Sequence, residues 1–231
     1  MNGNSATQKK KIKIAIDGPS GSGKSTIGRM LASHLGYIYI DSGAMYRALA
    51  LYLHRNNIPF KDTEKIIELL PDVNIKIENR DGISLIILNG ENVSSQIREP
   101  IISQGASIVS TIPEVRRFMV KLQREMGKEG GIVMDGRDIG TVVFPDAELK
   151  IYLDASIMAR ANRRFLELTQ KGIKTSFEEV KEELEIRDKR DKNREDSPLK
   201  RAEDAVYIDT SALSIEEVFE KILKEVKRVL N

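Results

Sequence analysis

Short apolar segments alternate with longer amphipathic ones along most of the chain. The apolar segments are nearly continuous in hydrophobic residues, which is typical of strands that helices cover on both faces. The helical segments between them favour parallel strand pairing through right-handed crossovers. The pattern therefore predicts an α/β fold with helices on both faces of a five-stranded parallel sheet, whose strand candidates are residues 12–17, 37–41, 132–135, 149–154 and 206–209.

Two helix starts carry the spacing of a capping box, in which a Ser or Thr hydroxyl and a Glu three residues later satisfy exposed N–H groups. Ser214 and Glu217 have this spacing, and Thr111 and Glu114 repeat it. We therefore expect helices to begin just after Ser214 and just after Thr111. In the helix after Ser214, the apolar positions share one face: Val218, Ile222 and Val226.

Residues 73–93 break the alternation with a period of two. They read V-x-I-x-I and then I-x-L-x-I, with a turn at residues 80–82 between the two runs and another turn at Asn89 and Gly90. This pattern predicts a small antiparallel insertion beside the main sheet. The pattern by itself does not distinguish a hairpin without a functional role from a hairpin that binds a substrate.

The composition limits the chemistry that is available. The 231 residues are 40% hydrophobic, carry 37 basic and 35 acidic side chains and include no cysteine, and His34 and His54 are the two histidines. Disulfides, thiolate chemistry and a histidine cluster are therefore excluded. Since a net charge of +2 supplies no global basic field, we expect no nucleic-acid partner.

No apolar run approaches the roughly 20 residues that a membrane span needs. Residues 1–13 are polar and rich in lysine, and we interpret residues 9–13 as a solvated segment in preference to a phospholipid or nucleic-acid contact. The sequence therefore predicts a cytoplasmic protein without a membrane partner.

A phosphate-binding loop, Gly-x-x-x-x-Gly-Lys-Ser, lies between a predicted strand and a predicted helix. Its glycines let the backbone aim N–H groups at phosphates, and the helix start adds about half a positive charge. Lys24 would contact the β- and γ-phosphates of ATP, and Ser25 would ligate Mg²⁺. The residues predicted to hold the nucleotide are Gly18, Pro19, Ser20, Gly21, Ser22, Gly23, Lys24, Ser25 and Thr26.

Other classes of P-loop protein have motifs that this chain lacks. The Asp-x-x-Gly and Asn-Lys-x-Asp motifs of GTPases occur nowhere, and the Ser-Gly-Gly-Gln signature of transporter ATPases is also missing. These absences count against a switch and against a motor. They favour a small-molecule kinase.

Charged side chains follow two of the predicted strands at their carboxyl ends, where ligands of α/β proteins bind. In the motif Asp-Ser-Gly-Ala-Met-Tyr-Arg at residues 41–47, Arg47 would lie near the mouth of the phosphate loop. In Asp-Gly-Arg-Asp at residues 135–138, Asp135 suits Mg²⁺ or its waters, Arg137 suits a phosphate, and Asp138 suits a base or an arginine. The alternatives are an ordinary surface arginine at Arg47 and a salt-bridged structural corner at residues 135–138.

Two late helical segments are rich in arginine. Spacings of three and four place each set on one helical face: Arg160, Arg163 and Arg164 in the first, and Arg187, Arg190 and Arg194 in the second, with Lys171 and Gly172 joining the two. The interleaved acids Asp188, Asp191 and Glu195 also fit a plain salt-bridged solvent face. In a P-loop protein, the alternative is a lid that closes over the transferring phosphoryl group.

These motifs together resemble the bacterial cytidylate kinases, a family of nucleoside monophosphate kinases, over nearly the whole chain. The specific segments are residues 16–25, 41–47 and 135–146, supported by Arg-Asp-x-x-Asp-x-x-Arg at residues 187–194 and by Ser-Pro-Leu at residues 197–199. The resemblance implies a single P-loop kinase domain over residues 1–231. Within it, residues 73–105 would form a monophosphate-binding insertion and residues 160–196 a helical lid.

The resemblance also implies the reaction and the roles of individual residues. The protein would transfer a phosphoryl group from ATP to CMP or dCMP, with UMP a poorer acceptor. The residues that act in the transfer would be Lys24, Arg137, Arg160 and Arg164. The loop carries Ser25 where some relatives have Gly. The acceptor phosphate would be held by Arg47, Arg137 and Arg194, the sugar by Asp191 with Arg187, cytosine by Ser107, Arg116 and Asp138, and the lid arginines on the ATP side would be Arg160 and Arg164.

Asp41 and Ser42 complete the predicted substrate site, and we expect a monomer. Two alternatives stay open at this point. One is a P-loop kinase for another small metabolite, and the other is a regulatory protein that binds ATP without catalysis.

Overall fold

A computed structural model of the protein describes residues 11–80 and 83–230. The strands in this part are β1 (Lys13–Asp17), β2 (Ile38–Asp41), β3 (Ile75–Arg80), β4 (Ile83–Leu88), β5 (Glu91–Asn92), β6 (Ile132–Gly136), β7 (Leu149–Asp154) and β8 (Val206–Asp209). The α-helices are α1 (Lys24–Leu35), α2 (Ser42–Arg55), α3 (Thr63–Leu69), α4 (Pro100–Val109), α5 (Pro113–Met126), α6 (Ile157–Gln170), α7 (Phe177–Asn193) and α8 (Ile215–Leu230).

Five of the strands form a parallel sheet in the order β2-β6-β1-β7-β8. The predicted sheet is therefore confirmed, although β1 and β2 begin one residue later than expected and β6 extends to Gly136. Because β6 and β7 flank β1, the loops after β1 and β6 leave the sheet side by side. Ligands of open parallel sheets bind at this edge.

Alternate residues of the central strands supply two hydrophobic cores, one on each face of the sheet. Ala15 and Met134 point into a main core with α2, α4 and α5, while Ile14 and Val133 point into a second core with α1 and α8. Such double coverage explains the continuous apolar strands. A third cluster lies between α6 and α7 and consists of Ala161, Leu168, Val180 and Leu184.

The strands β3, β4 and β5 form the small antiparallel sheet that the period of two predicted. Of the turn expected at residues 80–82, residues 81 and 82 lie outside the described part. Ile75 pairs with Leu88 and Ile77 with Ile86, and this face packs into the main core. The residues of β4 that face the core are therefore Ile86 and Leu88. They alternate with the apolar positions of the I-x-L-x-I run, which are 83, 85 and 87.

The insertion sheet leans against the outer strand of the main sheet. The Ser84 hydroxyl donates to the backbone carbonyl of Tyr39 in β2 at 2.7 Å. Val93, at the end of the insertion, is buried in the main core. The insertion and the main sheet thus share one hydrophobic core.

One of the two predicted capping boxes is confirmed. The Ser214 hydroxyl accepts from the Glu217 N–H at 3.2 Å, and the Glu217 carboxylate accepts from the Ser214 N–H at 2.8 Å. The box at Thr111 was wrong, because α5 begins at Pro113 and the Thr111 hydroxyl donates to the Ile108 carbonyl at 2.8 Å. Proline at the first helical position has no N–H to be capped, so Thr111 serves the end of α4.

The two arginine-rich segments form the antiparallel pair α6 and α7, which we call the α6–α7 hairpin. Its connection spans residues 171–176 and is longer than the Lys171–Gly172 joint that was expected. A capping box at Ser176 and Glu179, which the sequence analysis did not anticipate, starts α7. No helix in the described residues is long and apolar enough to cross a membrane.

Candidate active site

A cleft of about 1630 Å³ opens at the carboxyl edge of the main sheet, between the α6–α7 hairpin and the insertion. Every residue that the sequence predicted on the acceptor side lines it: Asp41, Ser42, Arg47, Ser107, Arg116, Arg137, Asp138, Arg187, Asp191 and Arg194. Lys24 and Arg164 line it as well, and Arg160 does not. The fold thus brings these distant motifs to one cavity.

The phosphate loop connects β1 to α1 as predicted. Residues 20–26 line the cleft, while Gly18 and Pro19 lie behind them. Gly18 has φ +148°, and a Cβ there would collide with the Leu153 carbonyl oxygen, so only glycine fits the turn. Lys24 is buried, and its Nζ donates to the Pro19 carbonyl at 2.6 Å. Burial and the nearby Arg137 charge lower the pKa of Lys24.

Asp135 lies at the centre of a hydrogen-bonded group beside the loop. Its two carboxylate oxygens accept from the Ser25 hydroxyl and from the Tyr39 hydroxyl, both at 2.8 Å. Burial and the negative charge of Asp41 raise the pKa of Asp135. Hydroxyl and carboxylate oxygens are the donors that Mg²⁺ prefers. The described residues hold no cluster of three His, Cys, Asp or Glu side chains that could bind a metal.

Asp17 fixes the segment that follows the Asp-Gly-Arg-Asp motif. Its buried carboxylate accepts from the N–H groups of Ile139 and Gly140 at 2.8 and 2.7 Å. Burial raises the pKa of Asp17 to about 7, although the two N–H groups act in the opposite direction. This role of Asp17 was not predicted from the sequence. The position of Asp17 at the end of the strand beside β6 was the signal that could have indicated it.

Arg47 extends from α2 back over the N-terminus of that helix. Its Nη2 lies 2.8 Å from Asp41 Oδ2, while Asp41 Oδ1 accepts from the Ala44 N–H at 2.9 Å. Burial acts to raise the pKa of Asp41, but Arg47 and the Ala44 N–H hold it below its usual value. Arg47 is therefore held at the cleft by a partly buried ion pair, unlike an ordinary surface arginine.

A second ion-paired group surrounds Asp138. The carboxylate accepts from the buried guanidinium of Arg116 in α5. Arg194 Nη2 lies 3.8 Å from the other Asp138 oxygen, and Arg194 Nε donates to the Ser197 carbonyl at 2.6 Å. Burial and the charge of Arg116 lower the pKa of Arg194. Arginines from two distant segments thus converge on one carboxylate.

Arg137 and Asp191 form the third pair, with Nε and Oδ2 2.7 Å apart. Arg187 lies near both, and burial and the Arg137 charge lower its pKa to about 10. Within residues 11–80 and 83–230, Arg187 Nε and Arg194 Nη2 are buried without a hydrogen-bond partner. Buried donors without a partner cost free energy, and both belong to side chains that line the cleft, where an anion could accept from them.

A family model for cytidylate kinase matches residues 14–228 of this chain. The chain belongs to the cytidylate kinase family. It is 54% identical over 215 residues to a cytidylate kinase from Caldicellulosiruptor bescii, covering 93% of this chain and 95% of that one. A cytidylate kinase from Bacillus cereus is 48% identical over 220 residues, which are 95% of this chain and 98% of the relative.

A solved structure has a similar fold. An uncharacterized protein from Eubacterium ventriosum superimposes with a TM-score of 0.51 at 14% identity, covering 94% of this chain and 99% of that one. That similarity concerns the fold alone. Together with the family match, the five-stranded parallel sheet and the small antiparallel sheet confirm the predicted P-loop kinase core of this cytidylate kinase family member.

The α6–α7 hairpin of this family member approaches the phosphate loop through its arginines. Arg160 is buried, donates to the Ser20 carbonyl at 3.2 Å and pairs with Asp188 at 2.6 Å. Arg164 lines the cleft and pairs with Glu167 at 2.9 Å. Because Asp188 and Asp191 are buried, the interpretation of α7 as a plain solvent face fails at these positions.

Two contacts of this family member had no counterpart in the predicted site. Arg163 bridges the loop to β8, since its Nη1 lies 3.4 Å from the Gly21 carbonyl and its Nη2 donates to the Thr210 carbonyl at 2.5 Å. Arg190 donates to the Ser107 hydroxyl at 2.7 Å. The sequence placed both arginines on the correct helices and gave no signal for their partners.

Proposed function

We propose that this protein transfers the γ-phosphoryl group of ATP to CMP or dCMP and releases ADP with CDP or dCDP. The observation that carries the proposal is one cleft with a phosphate loop at one end and a second set of arginines opposite it. A regulatory ATP-binding protein has no need for the second set. Membership of the cytidylate kinase family supports the same reaction.

The donor end would be formed by the loop and by the hairpin beside it. The loop backbone and Lys24 would contact the ATP phosphates. We propose that residues 160–196 act as a lid and that Arg164 faces ATP. Arg160 supports the loop from behind through the Ser20 carbonyl, so we propose that it positions the loop when the lid is closed.

The acceptor phosphate would be held by Arg47, Arg137 and Arg194. Arg137 uses its Nε on Asp191 and one N–H of Nη1 on the Gly136 carbonyl, which leaves its other N–H groups for a phosphate. Arg194 contributes a buried donor, Nη2, without a hydrogen-bond partner among the described residues. A phosphate at this place would satisfy such donors with charge-assisted hydrogen bonds.

Recognition of the base and of the sugar would use the buried carboxylates of Asp138 and Asp191. We propose that Ser107, Arg116 and Asp138 contact cytosine, since together they offer donors and an acceptor to one base edge. Asp191 with Arg187 would contact the sugar, and Asp41 and Ser42 would complete the site at the start of α2. Residues 73–105 would serve as the monophosphate-binding insertion, because α4 leads from β5 to Ser107.

The mechanism needs no catalytic base. A phosphate monoester has a second pKa near 6 and is mostly a dianion at pH 7, so its oxygen is already a nucleophile. The protein must overcome the repulsion between two polyanions and align them. Lys24 and the arginines supply the positive charge, and closure of the hairpin would exclude water from the transferring group.

The oxygen donors beside the loop fit Mg²⁺. We propose that Ser25 and Asp135 hold the ion or its waters, with phosphate oxygens completing the shell, as is usual for a cation that keeps several waters. When bound, Mg²⁺ neutralises negative charge on the β- and γ-phosphates. Tyr39 and Ser25 keep the Asp135 carboxylate oriented towards the loop.

A coupled assay of ADP release with CMP, dCMP, UMP, AMP and GMP tests the proposal. We expect turnover with CMP and dCMP, weaker turnover with UMP and little with the purine monophosphates. ATP binding without any turnover that depends on a monophosphate would point to a regulatory protein. If none of the five monophosphates is phosphorylated and another metabolite is, the protein is a different P-loop kinase.

Three further expectations from the sequence belong to the proposal. We propose a monomer that works in the cytoplasm without a nucleic-acid or membrane partner. The balance of 37 basic and 35 acidic residues supports the absence of a nucleic-acid partner. Light scattering at micromolar concentration tests the monomer. A fractionated cell lysate and a nucleic-acid retention assay test the other two.

A further inference from the structure

Arg190 joins the α6–α7 hairpin to helix α4. Its Nη1 donates to Ser107 Oγ at 2.7 Å across 83 residues of sequence. Ser107 is buried and lines the cleft, while Arg190 is half-buried on α7. The proposed roles of the acceptor residues leave Arg190 without a function. Its contact is with the hydroxyl that we assign to the base.

The end of α4 is suited to hold positive side chains. Ser107 lies in the last turn of α4, where the exposed carbonyls carry a partial negative charge. The Ser110 hydroxyl donates to the Ser107 carbonyl at 3.0 Å, and Arg116 donates to the Ser110 carbonyl at 3.3 Å. Arg190 and Arg116 therefore fix this turn from two sides.

The contact with Arg190 determines which way the Ser107 hydroxyl can act. A guanidinium only donates hydrogen bonds, whereas a hydroxyl has one proton and two lone pairs. Because Arg190 occupies one lone pair of Ser107 Oγ, the hydroxyl keeps its proton and one lone pair for other partners. The guanidinium charge polarises the hydroxyl, which strengthens it as a donor and weakens it as an acceptor. Within residues 11–80 and 83–230, no acceptor forms a hydrogen bond with that proton. The proton is thus available to a ligand in the cleft.

We propose that Arg190 is a positioning residue for base selection, which rests on the proposed function. By donating to Ser107, Arg190 biases the hydroxyl to act as a donor towards the base. Cytosine presents an unprotonated ring nitrogen, N3, whereas uracil carries a proton at that position. A hydroxyl biased towards donation therefore pairs well with cytosine and poorly with the N3 proton of uracil, and a poorly paired polar site disfavours its ligand.

The test is the ratio of kcat/KM for CMP to that for UMP in the full-length protein. Arg190→Met removes the donor and keeps the length of the side chain, and we expect the ratio to fall about tenfold because the hydroxyl becomes free to accept. Arg190→Lys keeps a charged donor and should restore most of the ratio. Lys189→Met, at the next and exposed position of α7, is the matched control and should leave the ratio unchanged.

A structural role would lower kcat/KM for CMP and UMP by the same factor, and that result would overturn the proposal. In a Ser107→Ala background, Arg190→Met should change the ratio no further, because both substitutions remove one interaction. A further tenfold fall in that background would show that Arg190 acts elsewhere. Arg190→Leu, which also removes the donor, gives a second variant with the same expected fall if the methionine variant does not fold.

These outcomes are distinct from a failure of the proposed function. A wild-type protein that does not phosphorylate CMP would remove the proposed reaction itself. A wild-type protein that prefers CMP, with an Arg190→Met variant that keeps the full preference, would remove only the role of Arg190.

Discussion

Replacement of Arg137 by alanine should separate acceptor binding from ATP binding. Arg137 lies at the end of β6, its side chain is 16% exposed, and its Nε is held by Asp191 at 2.7 Å. The terminal nitrogens face the cleft with N–H groups left for a phosphate. In the proposed complex, the substitution removes a guanidinium from the acceptor phosphate and leaves the phosphate loop in place.

The size of the effect follows from the contacts that are lost. Each charge-assisted hydrogen bond contributes about 1.5–3 kcal/mol, so two contacts from Arg137 correspond to at least about 3 kcal/mol. Since about 1.4 kcal/mol is a factor of ten, kcat/KM for CMP should fall by roughly a hundredfold or more. The dissociation constant of ATP, measured by calorimetry without CMP, should change by less than about threefold.

Loss of Arg137 also affects stability, and a second variant separates the two effects. Asp191 would lose its hydrogen-bonded partner, and breaking a buried pair costs about 3–5 kcal/mol, although the charge of Arg187 beside Asp191 reduces this cost. Asp191→Asn in the Arg137→Ala background should raise the melting temperature without restoring CMP turnover. Arg117→Ala, at an exposed position of α5, is the control. If Arg137→Ala keeps CMP turnover within threefold of the wild type, Arg137 has only a structural role.

Two further predictions concern side chains behind the cleft. Tyr39→Phe leaves the buried Asp135 carboxylate with one donor, Ser25, so the free energy of unfolding should fall by about 1–3 kcal/mol; an unchanged urea midpoint would contradict this. For Asp17, the folded state keeps the proton up to about pH 7, whereas the unfolded chain releases it near pH 4. This group therefore makes stability fall as the pH rises from about 4 to about 7. Urea unfolding across that range should show a flatter pH dependence in Asp17→Asn, and equal slopes would refute the assignment.

The main sheet could be predicted because its signals are local. A buried parallel strand is apolar on both faces, and residues 149–154 and 206–209 coincide with β7 and β8. The loop from Gly18 to Thr26 was also readable, since its glycines and Lys24 have fixed spacing. The box at Thr111 failed because the sequence matched the spacing while Pro113 changed the first residue of the helix.

The contacts that build the site depend on which strands and helices become neighbours. Asp17 reaches Ile139 because β1 lies beside β6, and the two residues are 122 positions apart. Arg190 and Ser107 meet only once α7 lies across the end of α4. Residue types at the cleft could therefore be predicted, whereas their pairing required the tertiary structure. The resemblance to cytidylate kinases supplied the list of residues and not these pairs.

The α6–α7 hairpin has its own small hydrophobic cluster, whereas the insertion strands share the main core with α2 and α4. The two sides of the cleft therefore differ in cooperativity. Ile75 and Leu88 cannot leave their places without opening the main core, so amide hydrogens of β3 and β4 should exchange only when the whole protein unfolds. Amides of α6 and α7 can exchange through a local unfolding that separates Leu168 from Leu184 and leaves the main core intact. The insertion side of the cleft is thermodynamically part of the scaffold, whereas the hairpin, which would cover ATP and contact the acceptor sugar through Arg187 and Asp191, has a hydrophobic cluster of its own.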